Sequence, residues 1–470
     1  MTPPTARRAI VAISIVLLAL LLRFGHLQHR ALDNDEIAEV RWSSLPFPEM
    51  MAAVKADVVH PPGDYIVQFV VGRRGSEWVR RLPSVIAGAT SVGLMILLGT
   101  WWISWRTGAF AGLLLAVSPI HVFYSQQVRP YSCALFYTLS SLVALELYAK
   151  TRKRYWAAAW FVLVFLAGGT LYFAGMIAAL AGIIRIFLDR KDRLRPLWRR
   201  VPLIVVAWAA LYSPWFSVIW TAVKRPSPNP PAQLDWAWWT WHLQSLAAGS
   251  DRTWEPVSLA SWAFWFIVAA GALISIRVRL LRVPAFMLLA GTAMEIALLH
   301  MHPHYPAVRY FMPSWIGAFV LAGAALGLFS RYWASASLAV AITLLFVGCA
   351  GIKIDEYYRG DRSDWREVAI YVHERIQPRD TLVVANPWVS RNFGYYWQQL
   401  PKVRDLTIVR YSANGEELIG PSWIVTGGCL PRQAIQVAPL MKQFPRTELA
   451  EVRFLRAGMR MRATEELCPE

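Results

Sequence analysis

A group of carboxylates follows the first apolar run of the sequence, residues 10–22. Asp33, Asp35 and Glu36 come close together, and Glu39 follows about one helical turn later. A carboxylate near such a run can accept a proton from a hydroxyl group or hold a divalent cation through its oxygens. Most acidic pairs in loops are simply solvated, so the pair alone is a weak signal, and its position directly after the first apolar run strengthens the case for a functional role.

A second polar group, residues 118–131, lies between two later apolar runs and contains Gln127, Arg129 and Tyr131. Further groups are His60-Pro61-Pro62-Gly63-Asp64 and, in a late loop, His302, His304, Arg309 and Tyr310. We expect Arg129 to bind an anion. Basic residues of membrane proteins concentrate on the cytoplasmic side, and Arg129 is one of the few that fall on the outer side outside the long loops. A carboxylate or carbonyl partner within the protein is the alternative. His302 and His304 lack the i, i+4 spacing of helical ligands, which disfavours a metal there.

The composition indicates the environment of these groups. The 470 residues are 56% apolar and 17% charged, and the net charge of +18 comes from 48 Lys and Arg against 30 Asp and Glu. Soluble domains are about 25% charged, which argues against a cytosolic enzyme. Lys and Arg lie in short clusters between long uncharged runs, a pattern typical of a membrane protein and not of a nucleic-acid binder.

Apolar runs long enough to span a bilayer recur along most of the chain. A spanning helix needs about 20 apolar residues. The run 155–188 is too long for one helix and contains Gly168, Gly169 and Thr170 near its middle, so we expect two. The total is about eleven transmembrane helices in an α-helical polytopic protein. The runs are 10–22, 82–105, 107–128, 131–149, 155–188, 201–223, 256–276, 283–300, 310–330 and 332–352.

The distribution of basic residues predicts the orientation. With the N-terminus in the cytoplasm, the basic stretches 150–154, 190–200 and 277–282 all fall on the cytoplasmic side. An odd number of spans then leaves the C-terminal residues on the extracytoplasmic side.

Two regions do not read as spans. Residues 23–81 form a first outer loop, which we assign to a transmembrane domain of residues 1–352. From residue 353 to 470 alternating helix and strand patterns predict a small α/β extracytoplasmic domain, with helices at 365–376 and 389–399 and strands at 381–385 and 423–426. Its Cys429 and Cys468 would share an oxidising compartment, so a disulfide between them is a hypothesis.

Two carboxylates lie inside predicted spans. Glu146 can pair with Lys150 at i, i+4, and we interpret it as structural. Glu295 is deeper, where it can line a lipid tunnel or, as we favour, form an interhelical hydrogen bond.

Several short motifs occur in an order that resembles a known family. They are Asp35-Glu36, His60-Pro61-Pro62 with Tyr65, Arg81-Leu82-Pro83-Ser84, the stretch from Ser118-Pro119 to Arg129-Pro130-Tyr131, Arg309-Tyr310 with Pro313, and Ser363-Asp364-Trp365-Arg366-Glu367. Together they resemble the bacterial members of glycosyltransferase family 39. That family is related to protein mannosyltransferases and lipid A aminoarabinose transferases, which have the GT-C membrane fold. The resemblance covers most of the chain.

The resemblance implies an inverting transfer of a sugar from a polyprenyl-phosphate carrier to an acceptor hydroxyl on the outer face of the bacterial inner membrane. Asp35 matches the family's general base, and Glu36 would orient the acceptor or assist a metal ion such as Mg²⁺ or Mn²⁺. His60, Arg129 and Arg309, with Tyr131 and Tyr310, would bind the donor phosphate. The acceptor can be a protein, a lipid or a glycan.

The sequence departs from the family at three places. Gln127 replaces a usual acidic residue, which puts metal assistance in doubt, and Asp64 replaces an apolar residue and can partly compensate for it. The turn 169–173 lacks a histidine that many members have.

Two other classes of function remain open at this stage. One is a transporter or flippase of the lipid-linked sugar, although the halves of the chain show no repeat. The other is a non-catalytic binder of that lipid, which Gln127 makes plausible.

Overall fold

The computed structural model describes residues 3–72, 75–189, 192–224, 235–248, 258–301, 308–359, 365–378, 381–384, 387–403, 407–410, 423–427, 448–453 and 460–463. Its contacts divide the chain into two compact units. The helical unit comprises Met1–Gly25 and Trp42–Asp355, and the C-terminal unit comprises His26–Arg41 and Glu356–Glu470. Two hypotheses from the sequence fall outside the described residues: the metal at His302 and His304 and the disulfide between Cys429 and Cys468. Ser363 and Asp364 also lie outside them.

Twenty α-helices are described. They are α1 (Pro3–Phe24), α2 (Asn34–Ser43), α3 (Phe47–Asp57), α4 (Gly63–Val71), α5 (Glu77–Trp102), α6 (Trp105–Val117), α7 (Pro119–Ser125), α8 (Tyr131–Thr151), α9 (Arg154–Thr170), α10 (Tyr172–Leu188), α11 (Arg195–Trp198), α12 (Val201–Tyr212), α13 (Phe216–Lys224), α14 (Trp236–Ala248), α15 (Ser258–Arg277), α16 (Arg282–Met301), α17 (Trp315–Phe329), α18 (Trp333–Arg359), α19 (Trp365–Arg375) and α20 (Pro387–Trp397). Short 3₁₀ helices cover Ser213–Trp215, Arg279–Leu281 and Val308–Ser314.

Seven of the described helical segments are long and apolar enough to cross a membrane, and α6 with α7 would make an eighth. The eleven spans expected from the sequence therefore stay a prediction. The expected division of residues 155–188 is present, because α9 ends at Thr170 and α10 begins at Tyr172. The predicted single span 107–128 is wrong in shape. Its two helices are bent by 63°, since Pro119 has no N–H to continue the hydrogen-bond ladder.

The core of the helical unit is built around α17. Almost every residue of α17 is buried, as expected for a helix that is apolar on all sides. It packs against α6, α15 and α16, while α5 packs against α1, α6 and α8. The α5–α6 approach depends on Gly99, where an added Cβ would lie 2.8 Å from the Cα of Gly108. This tight packing holds the connections between the helices in fixed positions.

Glu146 of α8 has a different partner from the one that its spacing predicts. The Nε of Arg185 lies 2.5 Å from Glu146 Oε1, and the Nε1 of Trp102 donates a hydrogen bond to the same oxygen at 2.7 Å. The predicted pairing of Glu146 with Lys150 is wrong. Glu146 is buried and needs a buried cation, whereas Lys150 is exposed and its ammonium lies over the ring of Trp101. The structural role of Glu146 nevertheless holds, since it joins α5, α8 and α10.

Glu295 forms the interhelical contact that the sequence favours. Its Oε1 lies 3.1 Å from the Nε2 of His242, and both side chains are buried. The pair connects α14 to α16. The hydrogen bond satisfies a polar group that would otherwise be costly inside an apolar bundle.

The C-terminal unit contains a five-stranded sheet. Its strands are β1 (Thr381–Val384), β2 (Thr407–Arg410), β3 (Trp423–Gly427), β4 (Glu448–Arg453) and β5 (Arg460–Ala463). The described strands lie in the order β2-β1-β3-β4-β5; the first three neighbouring pairs are parallel, and the β4–β5 pair is antiparallel. The helices and strands predicted from the sequence overlap α19, α20, β1 and β3.

The contacts place the division between the units after Asp355, and they also group His26–Arg41, part of the predicted outer loop, with the C-terminal unit. Composition cannot reveal this grouping, because it results from contacts between residues that are far apart in the sequence. The domain boundary at 352/353 stays a prediction.

Candidate active site

Three connections of the helical unit bring cationic and aromatic side chains together. His60 lies between α3 and α4, Arg129 and Tyr131 lie at the junction of α7 and α8, and Arg309 lies in the 3₁₀ helix before α17. The Nη2 of Arg129 is 2.6 Å from the Nε2 of His60. The Nε of Arg309 donates to the hydroxyl of Tyr131 at 2.9 Å. These residues, predicted as donor-binding from the sequence, are therefore neighbours.

His60 is a neutral hydrogen-bond donor in this cluster. Burial lowers the pKa of His60 well below 6.5, and the positive charges of Arg129 and Arg309 lower it further. A guanidinium only donates, so the Nε2 that faces Arg129 must accept, and the proton of the neutral ring is on Nδ1. This Nδ1 is buried and has no hydrogen-bond partner among the described residues. The resemblance assigns His60 to binding of the donor phosphate, and a neutral His60 would contribute a hydrogen bond there instead of a positive charge.

Aromatic rings surround the cations. The guanidinium of Arg309 lies 5.9 Å from the ring of Tyr131 and 5.5 Å from that of Tyr310, and Arg129 lies 5.7 Å from the Tyr131 ring. The His60 ring is 6.1 Å from Tyr131 and 5.9 Å from Tyr310. Contacts of this kind stabilise a cation where water is scarce. We call His60, Arg129, Tyr131, Arg309 and Tyr310 the cationic cluster.

The two residues that depart from the family pattern are also buried. Asp64 lies in the first turn of α4, where the helix dipole favours a carboxylate. Gly63 allows this turn to approach the end of α9, because a Cβ there would meet the Gly169 carbonyl oxygen at 2.5 Å. The Nε2 of Gln127 is buried with no hydrogen-bond partner among the described residues.

A residue that the sequence analysis missed, Arg23, fixes the bend before Arg129. Its fully buried guanidinium donates to the carbonyl oxygens of Leu115 at 3.3 Å and Ala116 at 3.0 Å. These carbonyls end α6, and the nitrogen four residues after Leu115 belongs to Pro119, which has no N–H. Arg23 thus supplies side-chain donors to both carbonyls, in addition to the backbone N–H of Ser118, which reaches the Leu115 oxygen at 3.4 Å. An arginine at the end of the first apolar run was the available signal.

Gln126 fixes the end of α1 from the other side. Its Nε2 donates to the carbonyl oxygens of Leu22, Arg23 and Gly25, at 3.2, 3.0 and 2.6 Å. Leu22 and Arg23 belong to the last turn of α1, whose carbonyls lack intrahelical donors, and Gly25 directly follows the helix. These hydrogen bonds fix the position of Gln126, three residues before Arg129.

The acidic residues form the start of α2 in the C-terminal unit. Asp33 Oδ1 accepts the backbone N–H groups of Asp35 and Glu36, both at 2.9 Å. Glu36 Oε2 accepts the backbone N–H of Asp33 at 3.0 Å. This reciprocal arrangement is a capping box. Glu36 is fully buried, whereas the side chain of Asp35 is half-buried.

The acidic group does not fit a metal ion. The capping box uses oxygens of both Asp33 and Glu36. Across the described ranges no three His, Cys, Asp or Glu side chains form a group that could hold a metal. We therefore derive no step through a metal.

Comparison with solved structures shows that this chain shares its fold with ArnT and with an archaeal oligosaccharyltransferase. ArnT from Cupriavidus metallidurans in the apo state matches with a TM-score of 0.52 and 16% identity, over 94% of this chain and 92% of ArnT. The same protein bound to undecaprenyl phosphate gives 0.50 and 15% over the same shares. The archaeal oligosaccharyltransferase AglB from Archaeoglobus fulgidus, in complex with an inhibitory peptide and a dolichol-phosphate, gives 0.52 and 12% over 91% of this chain and 63% of AglB.

At these identities the likeness shows the fold. No protein-family model matches the chain, and no curated protein sequence matches it significantly.

Proposed function

We propose that this protein is a membrane glycosyltransferase that moves a sugar from a polyprenyl-phosphate carrier to an acceptor hydroxyl. The cationic cluster is the observation on which the proposal rests. Two guanidinium groups and the buried Nδ1–H of His60 come from three separate connections of the helical unit. Arginine forks and a fixed N–H donor suit the oxygens of a phosphate.

The fold supports the same class of ligand. Two of the three solved structures described above contain undecaprenyl phosphate or dolichol-phosphate, both of which join a phosphate to a polyprenyl chain. A protein of this fold with one buried and one half-buried arginine at its helix junctions is suited to a lipid that carries a phosphate.

The cluster would act on the leaving group. As the bond between sugar C1 and the phosphate oxygen breaks, negative charge grows on that oxygen. Arg129 and Arg309 stabilise this charge, and a neutral His60 adds a hydrogen bond without competing for a proton. Because these donors are held by packed helices, they need little reorganisation during the reaction.

The base is the part of the proposal that comes from the sequence resemblance. Asp35 would accept the proton of the acceptor hydroxyl while the hydroxyl oxygen attacks C1 opposite the phosphate, which inverts that carbon. The capping box assigns Glu36 to the start of α2, so we propose a single catalytic carboxylate.

We further propose the bacterial plasma membrane as the location, with the C-terminal unit on the extracytoplasmic side, as the basic stretches indicate. Alkaline phosphatase fused after Glu470 should be active, and a fluorescent protein fused there should be dark. The reverse pair of results would contradict this orientation.

The function is tested with purified protein in nanodiscs. Undecaprenyl-phosphate hexoses and pentoses are offered with candidate protein, lipid and glycan acceptors, and mass spectrometry detects undecaprenyl phosphate and glycosylated product. We expect acceptor-dependent release of the carrier. Flux of lipid-linked sugar in proteoliposomes without any product would indicate a transporter, and binding without release across all combinations would indicate a non-catalytic binder.

A further inference from the structure

The segment that contains Asp35 is part of the C-terminal unit, although residues 42–355 separate it from the rest of that unit. Three contacts near its beginning involve tyrosines of the later part. His26 stacks on Tyr358 with ring centroids 5.0 Å apart, and the guanidinium of Arg30 lies 3.9 Å from the centre of the Tyr357 ring. The third is a hydrogen bond to Tyr396.

The Tyr396 contact is the one closest to the acidic residues. The backbone N–H of Leu32 donates to the hydroxyl of Tyr396 at 2.7 Å, and both residues are buried. A buried backbone N–H needs a partner, and this one lies before the first turn of α2, where the helix cannot provide it. Leu32 directly precedes Asp33, which begins the capping box, so the bond connects α20 to the start of α2.

We propose that Tyr396 is a positioning residue for Asp35, an inference that rests on the proposed function. It fixes the backbone at Leu32, the capping box extends this order through Asp33, and Asp35 is thereby held in one orientation. Tyr396 acts through the backbone and touches no reacting atom. The C-terminal unit thus helps to build the catalytic segment.

Tyr396→Phe tests this role, because it removes the hydroxyl and keeps the ring. We expect the kcat for transfer to fall about tenfold, since small errors in the position of a base are costly. The KM for the lipid donor should stay within about twofold, because the cationic cluster of the helical unit is unchanged. Hydrogen exchange should become faster at the amides of residues 32–36 and stay the same in α8.

Tyr371→Phe is the matched control. Tyr371 belongs to α19 of the same unit, and its ring packs under Arg375 at 3.8 Å, a contact that phenylalanine retains. Neither its kcat nor the exchange at residues 32–36 should change.

The outcomes separate the two proposals. A wild-type protein without transfer refutes the proposed function. If the wild type is active and Tyr396→Phe matches it in kcat, the positioning role is wrong, whether or not exchange becomes faster. A rise in donor KM with unchanged kcat would also overturn it, because it would connect Tyr396 to donor binding.

Discussion

The two units contain candidate site residues of opposite charge, and each unit orders its residues by different interactions. In the helical unit, cations and aromatic rings come from three helix junctions and are held by packing and buried hydrogen bonds. In the C-terminal unit, the carboxylates belong to one short segment and are ordered by a capping box. The binding of a lipid phosphate and the acceptance of a proton should therefore respond independently to mutation.

Asp35→Asn should separate turnover from lipid binding most clearly. Loss of a general base costs about 10²- to 10⁴-fold, and we expect turnover to fall about 10³-fold. Binding of undecaprenyl phosphate, measured by native mass spectrometry, should not change. Asp192→Asn, which alters an exposed carboxylate before α11, is the control. Retained turnover in Asp35→Asn would remove this residue from the mechanism.

The next largest effect is expected from the other unit. Arg129→Gln should weaken undecaprenyl phosphate binding about 10- to 100-fold, because it deletes charge-assisted hydrogen bonds. Arg129→Lys should recover part of the affinity, since it restores the charge without the fork. Arg152→Gln, at an exposed cation after α8, should bind as the wild type does. Equal affinities for all three variants would show that the cluster does not bind the lipid.

A smaller effect distinguishes the two adjacent carboxylates. Glutamine also serves in a capping box, so Glu36→Gln should keep turnover within about threefold of the wild type. Glu36→Ala should destabilise the start of α2 by about 1 kcal/mol, seen as faster hydrogen exchange there. A loss in Glu36→Gln as large as in Asp35→Asn would instead make Glu36 catalytic.

The smallest effect concerns pH. The pKa of His60 is lowered in the folded protein, so below about pH 6.5 the unfolded chain takes up a proton that the folded chain does not. The contribution of His60 to stability is therefore complete above pH 6.5 and decreases as the pH falls toward the lowered pKa. The drop in melting temperature between pH 7.5 and 5.5 should be smaller in His60→Gln than in the wild type. His29→Gln, at an exposed position, should show the wild-type drop.

The sequence was sufficient for features that depend on local patterns. Apolar runs identified most helices, including the break between α9 and α10, and motif order selected a cationic cluster whose members are neighbours in space. Glu295 was correctly expected to bond across helices, because a buried carboxylate must find a partner.

Features that depend on distant side chains could not be predicted. The i, i+4 spacing predicted that Glu146 pairs with Lys150, but the buried Glu146 pairs with Arg185 of another helix. In the sequence Arg23 marks the end of a span, and only the folded chain shows that it donates to the carbonyl oxygens at the end of α6. The pKa of His60 likewise depends on two arginines that are remote in sequence.

The discontinuous C-terminal unit has a consequence for biosynthesis. His26–Arg41 leaves the ribosome early, whereas Tyr357, Tyr358 and Tyr396 are made only after residue 355. Until then the stretch around Asp35 lacks its anchors. Under the proposed function, a nascent or truncated chain would therefore lack an ordered catalytic base until the last quarter of the chain has been made.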